Sequence, residues 1–204
     1  MKKTARLFLI LISLTCFAFI SPSNKVKKQI NVVIDAGHGG YDLGSQANDV
    51  TEKQIIEQII TKIQNLNKNK NVILHYTRSE DKFIPLKDRT DFINTIKPDL
   101  VISLHVNASK NPDNSGLEFY VSKESKSYEK SNIIAEKLQT KFATSNWKVS
   151  EIKNANFFIL KVSEVPAVLM EIGYLTNKND KKMLEDGKEQ NEIAKKIINC
   201  IAEL

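Results

Sequence analysis

Cysteine is almost absent from this chain, with Cys16 and Cys200 the only two in 204 residues. Glycine and proline are sparse as well, at 7 and 5. The first shortage removes disulfide stapling as a source of stability, and the second excludes collagen-like and low-complexity chains. The longest apolar run, Leu7–Ile20, is 14 residues, short of the ~20 needed to cross a bilayer. Familiar signatures are missing too. There is no G-x-S-x-G elbow and no P-loop, and a dinucleotide fingerprint starting at Gly37 would need glycine where Asp42 stands. No internal repeat, long linker or second domain is visible.

What is present is a chain with 41% hydrophobic and 26% charged residues, enough for one domain with a sizeable core. Residues 1–23 read MKKTARLFLILISLTCFAFISPS: a basic start at Lys2, Lys3 and Arg6, a short apolar stretch, then small polar residues. That order marks a secretory signal, cut near Ser23, and implies export to the periplasm or the extracellular wall. Lipid attachment at Cys16 is the lesser alternative, because Thr15 before it fits such a site poorly. Loss of the leader removes three cations and no acids, so the formal charge of +6 falls to +3. A small excess spread over lysine-rich faces supports no nucleic-acid partner. The expectation for the mature chain is a monomer with no transmembrane anchor, in which Cys200 packs among Ile197, Ile198 and Ile201.

Past a short basic lead-in at 24–29, β-rich runs alternate with helical patterns. The pattern predicts strands at Ile30–Asp35, Val72–Thr77, Leu100–His105, Leu117–Val121, Phe157–Leu160 and Ala167–Glu171. Several are continuous apolar runs, as expected for strands covered on both faces. A helix opening at Thr51-Glu52-Lys53-Gln54, a capping-box sequence, carries Ile55, Ile59, Ile63 and Leu66 on one stripe. Others run from Leu86 to Ile96, through Ile134, Leu138 and Phe142, and through Ile193, Ile197 and Ile201. The implied fold class is α/β: one domain with a twisted, mostly parallel sheet of about six strands and helices on both faces.

In such a sheet, chemistry is expected at the carboxyl ends of the strands. There the sequence has Asp35-Ala-Gly-His38, Ser103-Leu-His105-Val-Asn107 and Met170-Glu171-Ile-Gly173. Taken singly, each has a plain explanation: His38 a solvated turn residue, His105 a core histidine, Glu52 an acid offsetting a helix dipole. His75, inside a strand, reads as structural. Glu171 is harder to explain, because it ends an apolar stretch and a buried carboxylate needs a partner. Together, two imidazoles and a carboxylate form the ligand set of a catalytic zinc site, and a further carboxylate serves as general base. The assignment is His38, Glu52 and His105 as ligands and Glu171 as base, gathered from separate strand ends.

These residues resemble those of the zinc-dependent N-acetylmuramoyl-L-alanine amidases of bacterial cell-wall metabolism. The likeness runs from about Gln29 to Leu204, on VVIDAGHGGYDLGS at 32–45, TEK at 51–53, SLHVN at 103–107 and PAVLMEIGYLTN at 166–177. Carried over, it puts the zinc ligands on His38, Glu52 and His105 and the catalytic glutamate on Glu171, which selects Glu52 over its helix-dipole explanation. Asn107 falls on a polar position beside the second histidine, near the ligands or the substrate. The resemblance implies residues 30–204 as a catalytic domain, one zinc per chain and peptidoglycan as substrate. Departures at Leu104, Val106, Ile172 and Tyr174 remove no ligand. Some members insert a covering helix after the second histidine, but eight residues between Asn107 and Gly116 leave no room for one. A zinc peptidase or deacetylase acting on another wall bond, or a silent wall-binding protein, are the competing readings.

Overall fold

A computed structural model describes residues 29–204. The expected leader, 1–23, and all but the last residue of the lead-in lie outside the described residues. The continuous apolar runs became the inner strands of a six-stranded sheet. These are β1 (Ile30–Ala36), β5 (Leu100–Asn107) and β8 (Ala167–Tyr174), with β4 (Val72–Tyr76) on the outside of β1. The order is β4-β1-β5-β8-β6-β7, where β6 is Leu117–Val121 and β7 is Val149–Asn154. The first four strands are parallel. At β6 the direction reverses: it pairs antiparallel with β8 and parallel with β7. Two two-residue strands, β2 (Gln46–Ala47) and β3 (Val50–Thr51), form a small hairpin beside the sheet.

Two expectations need correction here. Phe157–Leu160 is not a strand; Phe158–Val162 is a short helix, α4. Periodicity cannot separate a buried strand from a buried helical turn in so short an apolar run. The sixth strand is instead Val149–Asn154, a polar segment on the sheet edge whose side chains are half-buried or exposed. Nothing apolar marked it, because an edge strand buries little.

The remaining helices are α1 (Glu52–Leu66), α2 (Leu86–Ile96), α3 (Tyr128–Phe142), α5 (Lys178–Glu185) and α6 (Gly187–Ala202). At the start of α1, the Gln54 side-chain oxygen accepts from the Thr51 N–H at 3.1 Å and from its hydroxyl at 2.8 Å. That anchors the first turn, and Glu52 with it. Helix α2 stops at Lys97, which turns left-handed (φ 51°) just before Pro98.

The two faces of the sheet are covered unequally. On one lie α1, α3 and α6, joined through Ile56, Ile59, Ile63, Leu138, Phe142 and Ile197 into one large core. On the other, α2 and α4 supply only Ile93, Ile159 and Leu160 against Val33, Val101 and Leu169. That thinner layer leaves a cleft at the carboxyl ends of the strands, beside His105 and Glu171.

Candidate active site and metal centre

Strand register lines up the polar groups on the open side. Asp35 pairs with Ser103, His105 with Glu171, and Glu171 with Glu118. Because side chains alternate along a strand, Val168, Met170 and Ile172 of β8 enter the large core while Glu171 faces the other way. His38 follows β1 in a tight turn with φ of 57°, a left-handed conformation that a β-carbon resists.

His38, Glu52 and His105 converge, their ligand atoms all within 4.8 Å of one another. Glu52 Oε1 lies 3.2 Å from His38 Nε2 and 2.9 Å from His105 Nδ1. Two ligands bound to one zinc at ~2.0–2.1 Å in tetrahedral geometry sit roughly 3.3 Å apart, so the donor set and its spacing fit such an ion. The cradle is built for close approach. A β-carbon on Gly44 would meet Glu52 Oε2 at 2.5 Å and His38 Cδ2 at 2.6 Å, and one on Gly37 would meet His105 Nδ1 at 2.7 Å. Backbone groups hold the carboxylate: Val106 N–H donates to Oε1 at 2.9 Å and Ser45 N–H to Oε2 at 2.8 Å. On the far side of the His38 ring, Nδ1 is 2.9 Å from Asp42 Oδ2, a contact that fixes ring orientation in metal sites.

The electrostatics agree. Burial opposes charge on Glu52, but His105 and His38 outweigh it and hold the carboxyl far below its ordinary range. Burial also opposes charge on His38, yet Glu52 and Asp42 push its imidazole up to about 9.

Glu171 behaves in the opposite way. Burial, with Glu52 and Glu118 adding to it against the pull of His105, pushes its carboxyl up to about 7. Its Oε2 is buried with no hydrogen-bond partner among the described residues. The Glu52 carboxylate at the start of α1 is thus held by hydrogen bonds, while Glu171, paired with His105 across β5 and β8, keeps an unpartnered oxygen. Neighbouring carboxyls with separated pKa values are the pattern of an acid–base site.

The family profile described as N-acetylmuramoyl-L-alanine amidase matches residues 32–203. This chain belongs to that family. It is 32% identical to the endolysin of Bacillus phage SPP1 over 178 residues, covering 85% of this chain and 65% of the endolysin. Against the N-acetylmuramoyl-L-alanine amidase LytC of Bacillus subtilis it is 28% identical over 86% of this chain, but spans only 36% of LytC. Among solved structures, the N-acetylmuramoyl-L-alanine amidase of Clostridium difficile 630 superposes with a TM-score of 0.81 at 30% identity. That match covers 86% of this chain and 96% of the other. The catalytic domain of CwlV from Bacillus (Paenibacillus) polymyxa gives 0.79 at 31%, covering 86% and 97%. The expected fold class and enzyme class both hold.

Within this amidase, two groups that sequence reasoning passed over support the site. Arg89 of α2 is buried and donates to Asp35 Oδ1 at 2.9 Å, to the His38 carbonyl at 2.7 Å, to the Ile84 carbonyl at 2.8 Å and to the Ala36 carbonyl. Asp35 also accepts from Ser103 Oγ at 2.6 Å and Thr77 Oγ1 at 2.7 Å. Burial pushes the Asp35 carboxyl up, but Arg89 and the two hydroxyls outweigh that and keep it ionised. The pair clamps the strained His38 turn from below. A cation on the apolar stripe of a helix, four residues before Ile93, was the available signal.

The second group is Glu118, opposite Glu171 on β6. It accepts from the Tyr120 and Tyr174 hydroxyls, both at 2.7 Å, from Lys153, and from Asn107 Nδ2 at 3.2 Å. Asn107 is therefore turned toward Glu118. Burial opposes charge on Glu118, yet Lys153 and the tyrosines keep it ionised. In the sequence it sat between Leu117 and Phe119 like any outward-facing strand residue, and apart from Tyr120 its partners come from three other strands.

Proposed function

We propose that the protein is a zinc-dependent hydrolase that cleaves the amide between the lactyl group of N-acetylmuramic acid and the L-alanine of the peptidoglycan stem peptide. His38, Glu52 and His105 would hold the zinc, and Glu171 would act as general base and then general acid. Bound there, zinc would polarise the amide carbonyl and favour ionisation of a water. The observation carrying this reading is the convergence of three ligand atoms beside a buried carboxyl with an unpartnered oxygen.

Each residue has a stated task. Glu52, fixed by the Ser45 and Val106 amides, supplies the negative charge that a dication needs. Asp42 holds the His38 ring. A dication near Glu171 would favour its ionised form, leaving Oε2 free to take a proton from the attacking water and pass it to the departing alanine amine. Family membership and relatives named cell wall amidases support peptidoglycan as substrate. For its setting, we infer an exported, monomeric protein acting at the wall. Among the described residues, no helix is long and apolar enough to cross a membrane.

Digestion of purified peptidoglycan tests the reading. New L-alanine amino termini with intact disaccharides, abolished by a chelator and restored by zinc, are expected. Release of other amines or of acetate would point to a peptidase or deacetylase instead, and chelator-insensitive release would remove the metal from the reaction.

A further inference from the structure

Beside the ligand cluster, on the thinly covered face, a cleft of about 330 Å³ has His38, His105 and Glu171 at one end and apolar side chains along its walls. Its lining includes Phe83 and Leu86, from the segment entering α2, and Phe157 and Phe158, at the start of α4. These are not core residues. Leu86, Phe157 and Phe158 are 56%, 40% and 42% exposed, an unusual use of large apolar groups at a rim. Two of these rings touch a further aromatic ring. Tyr41 stacks on Phe83 with ring centroids 4.4 Å apart, and Tyr120 meets Phe157 edge-on at 5.2 Å. The Tyr120 hydroxyl is in turn tied to Glu118.

The cleft's charges decide what it can take. Arg89 is the only Arg or Lys lining it, and it is buried and committed to Asp35 and three backbone carbonyls. The other ionisable groups are His38 and His105, which belong to the ligand cluster, and three carboxyls: Asp35 is paired with Arg89, Asp42 contacts His38, and Glu171 lies beside the cluster. Away from the ligand cluster the lining is aliphatic and aromatic, so a charged peptide would find nothing there to pair with. An uncharged ring with flat C–H faces would find aromatic surfaces held in place, whose negative faces attract such C–H groups. A volume near the lower end of small-molecule pockets, roughly 300 Å³, suits a single pyranose.

We infer that this cleft is the subsite for the N-acetylated muramyl ring of the substrate, so that Phe157, Phe158 and Phe83 determine specificity for the sugar side of the bond. The inference rests on the proposed reaction. In that reaction the muramyl ring is joined to the carbonyl carbon through the short lactyl ether alone. Whatever occupies the space next to Glu171 on the acyl side is therefore the sugar, and the charged stem peptide leaves away from the apolar cleft.

The experiment compares two substrates with the zinc-loaded enzyme: a disaccharide–peptide, and the same peptide carrying only a lactyl group. The wild type should prefer the sugar-bearing substrate in kcat/KM by at least tenfold. Phe157→Ala and Phe158→Ala should cut that preference about tenfold, mainly through KM, and Phe158→Tyr should restore most of it. Titration of Glu171→Gln with the free, peptide-less disaccharide should show binding that Phe158→Ala, made in the same background, weakens by a similar factor. Equal loss on both substrates, or no wild-type preference, overturns the inference while leaving the reaction intact. Failure of the wild type to release alanine amine from either substrate overturns the proposed reaction itself.

Discussion

The two faces of this sheet have divided the work between them. On the covered face, three long helices bury isoleucine, leucine and phenylalanine against alternate residues of every inner strand. On the other, two helices supply a thinner apolar layer, and toward the carboxyl ends the alternate residues become Asp35, Ser103, His105, Glu171 and Glu118. The same strands serve both faces, one residue apart. Residues on the covered face should therefore set stability, and His105 and Glu171 at the cleft should set chemistry at little cost in stability.

The largest expected effect lies on the open face. Glu171→Gln should lower kcat by about 10³-fold, the scale of a lost general base, while still binding metal. Its melting temperature should be unchanged or higher, because burial already opposes the Glu171 charge. A large drop in melting temperature would break the division. Next comes Phe142→Ala on the covered face. Phe142 is fully buried and packs against Phe119 at 6.0 Å, so truncation should cost about 3–5 kcal/mol in denaturant unfolding. At temperatures where the variant stays folded, kcat should be near that of wild type; a selective loss of turnover would mean the faces are coupled.

The smallest effect sharpens the comparison within the open face. Activity should rise as pH climbs through the Glu171 ionisation, since the base must be deprotonated. Burial pushes that ionisation up to about 7, and a bound dication would lower it. The Glu118 carboxylate contributes to the upward push. Neutralising it in Glu118→Gln should therefore move the acidic limb of the kcat/KM profile to lower pH, by less than about one unit. A shift to higher pH, or none, would leave Glu118 with a purely structural task.

Much of this was legible in the sequence, and the reasons are local. The runs INVVIDA, LVISLHVN and AVLMEIGY announce inner strands because burial on both sides leaves no polar alternation. The capping sequence at Thr51 fixed where α1 begins, and with it the direction of Glu52. What escaped is what depends on assembly. Val149–Asn154 forms a strand only because β6 offers it an edge. Phe157–Leu160 looked like a strand because four apolar residues carry no period. Arg89 and Glu118 draw their meaning from partners 54 residues and up to 56 residues away, distances at which sequence pattern is silent.

One inversion of direction has a consequence for how this domain can change over time. Because β6 runs opposite to β8, the link from Asn107 to Gly116 never leaves the carboxyl-end rim. It crosses the end of β8 there, with Ser109 N–H bonded to Thr176 Oγ1 at 3.0 Å and the Pro112 carbonyl accepting from Asn177 at 2.7 Å. A parallel β6 would have carried that link down a face and back into the packing. As it stands, the link can lengthen without disturbing either core, and each doubling costs only about 0.6 kcal/mol in closure entropy. Any added residues would emerge over the catalytic rim, so a minor genetic insertion at this place reaches the reaction before it reaches the fold.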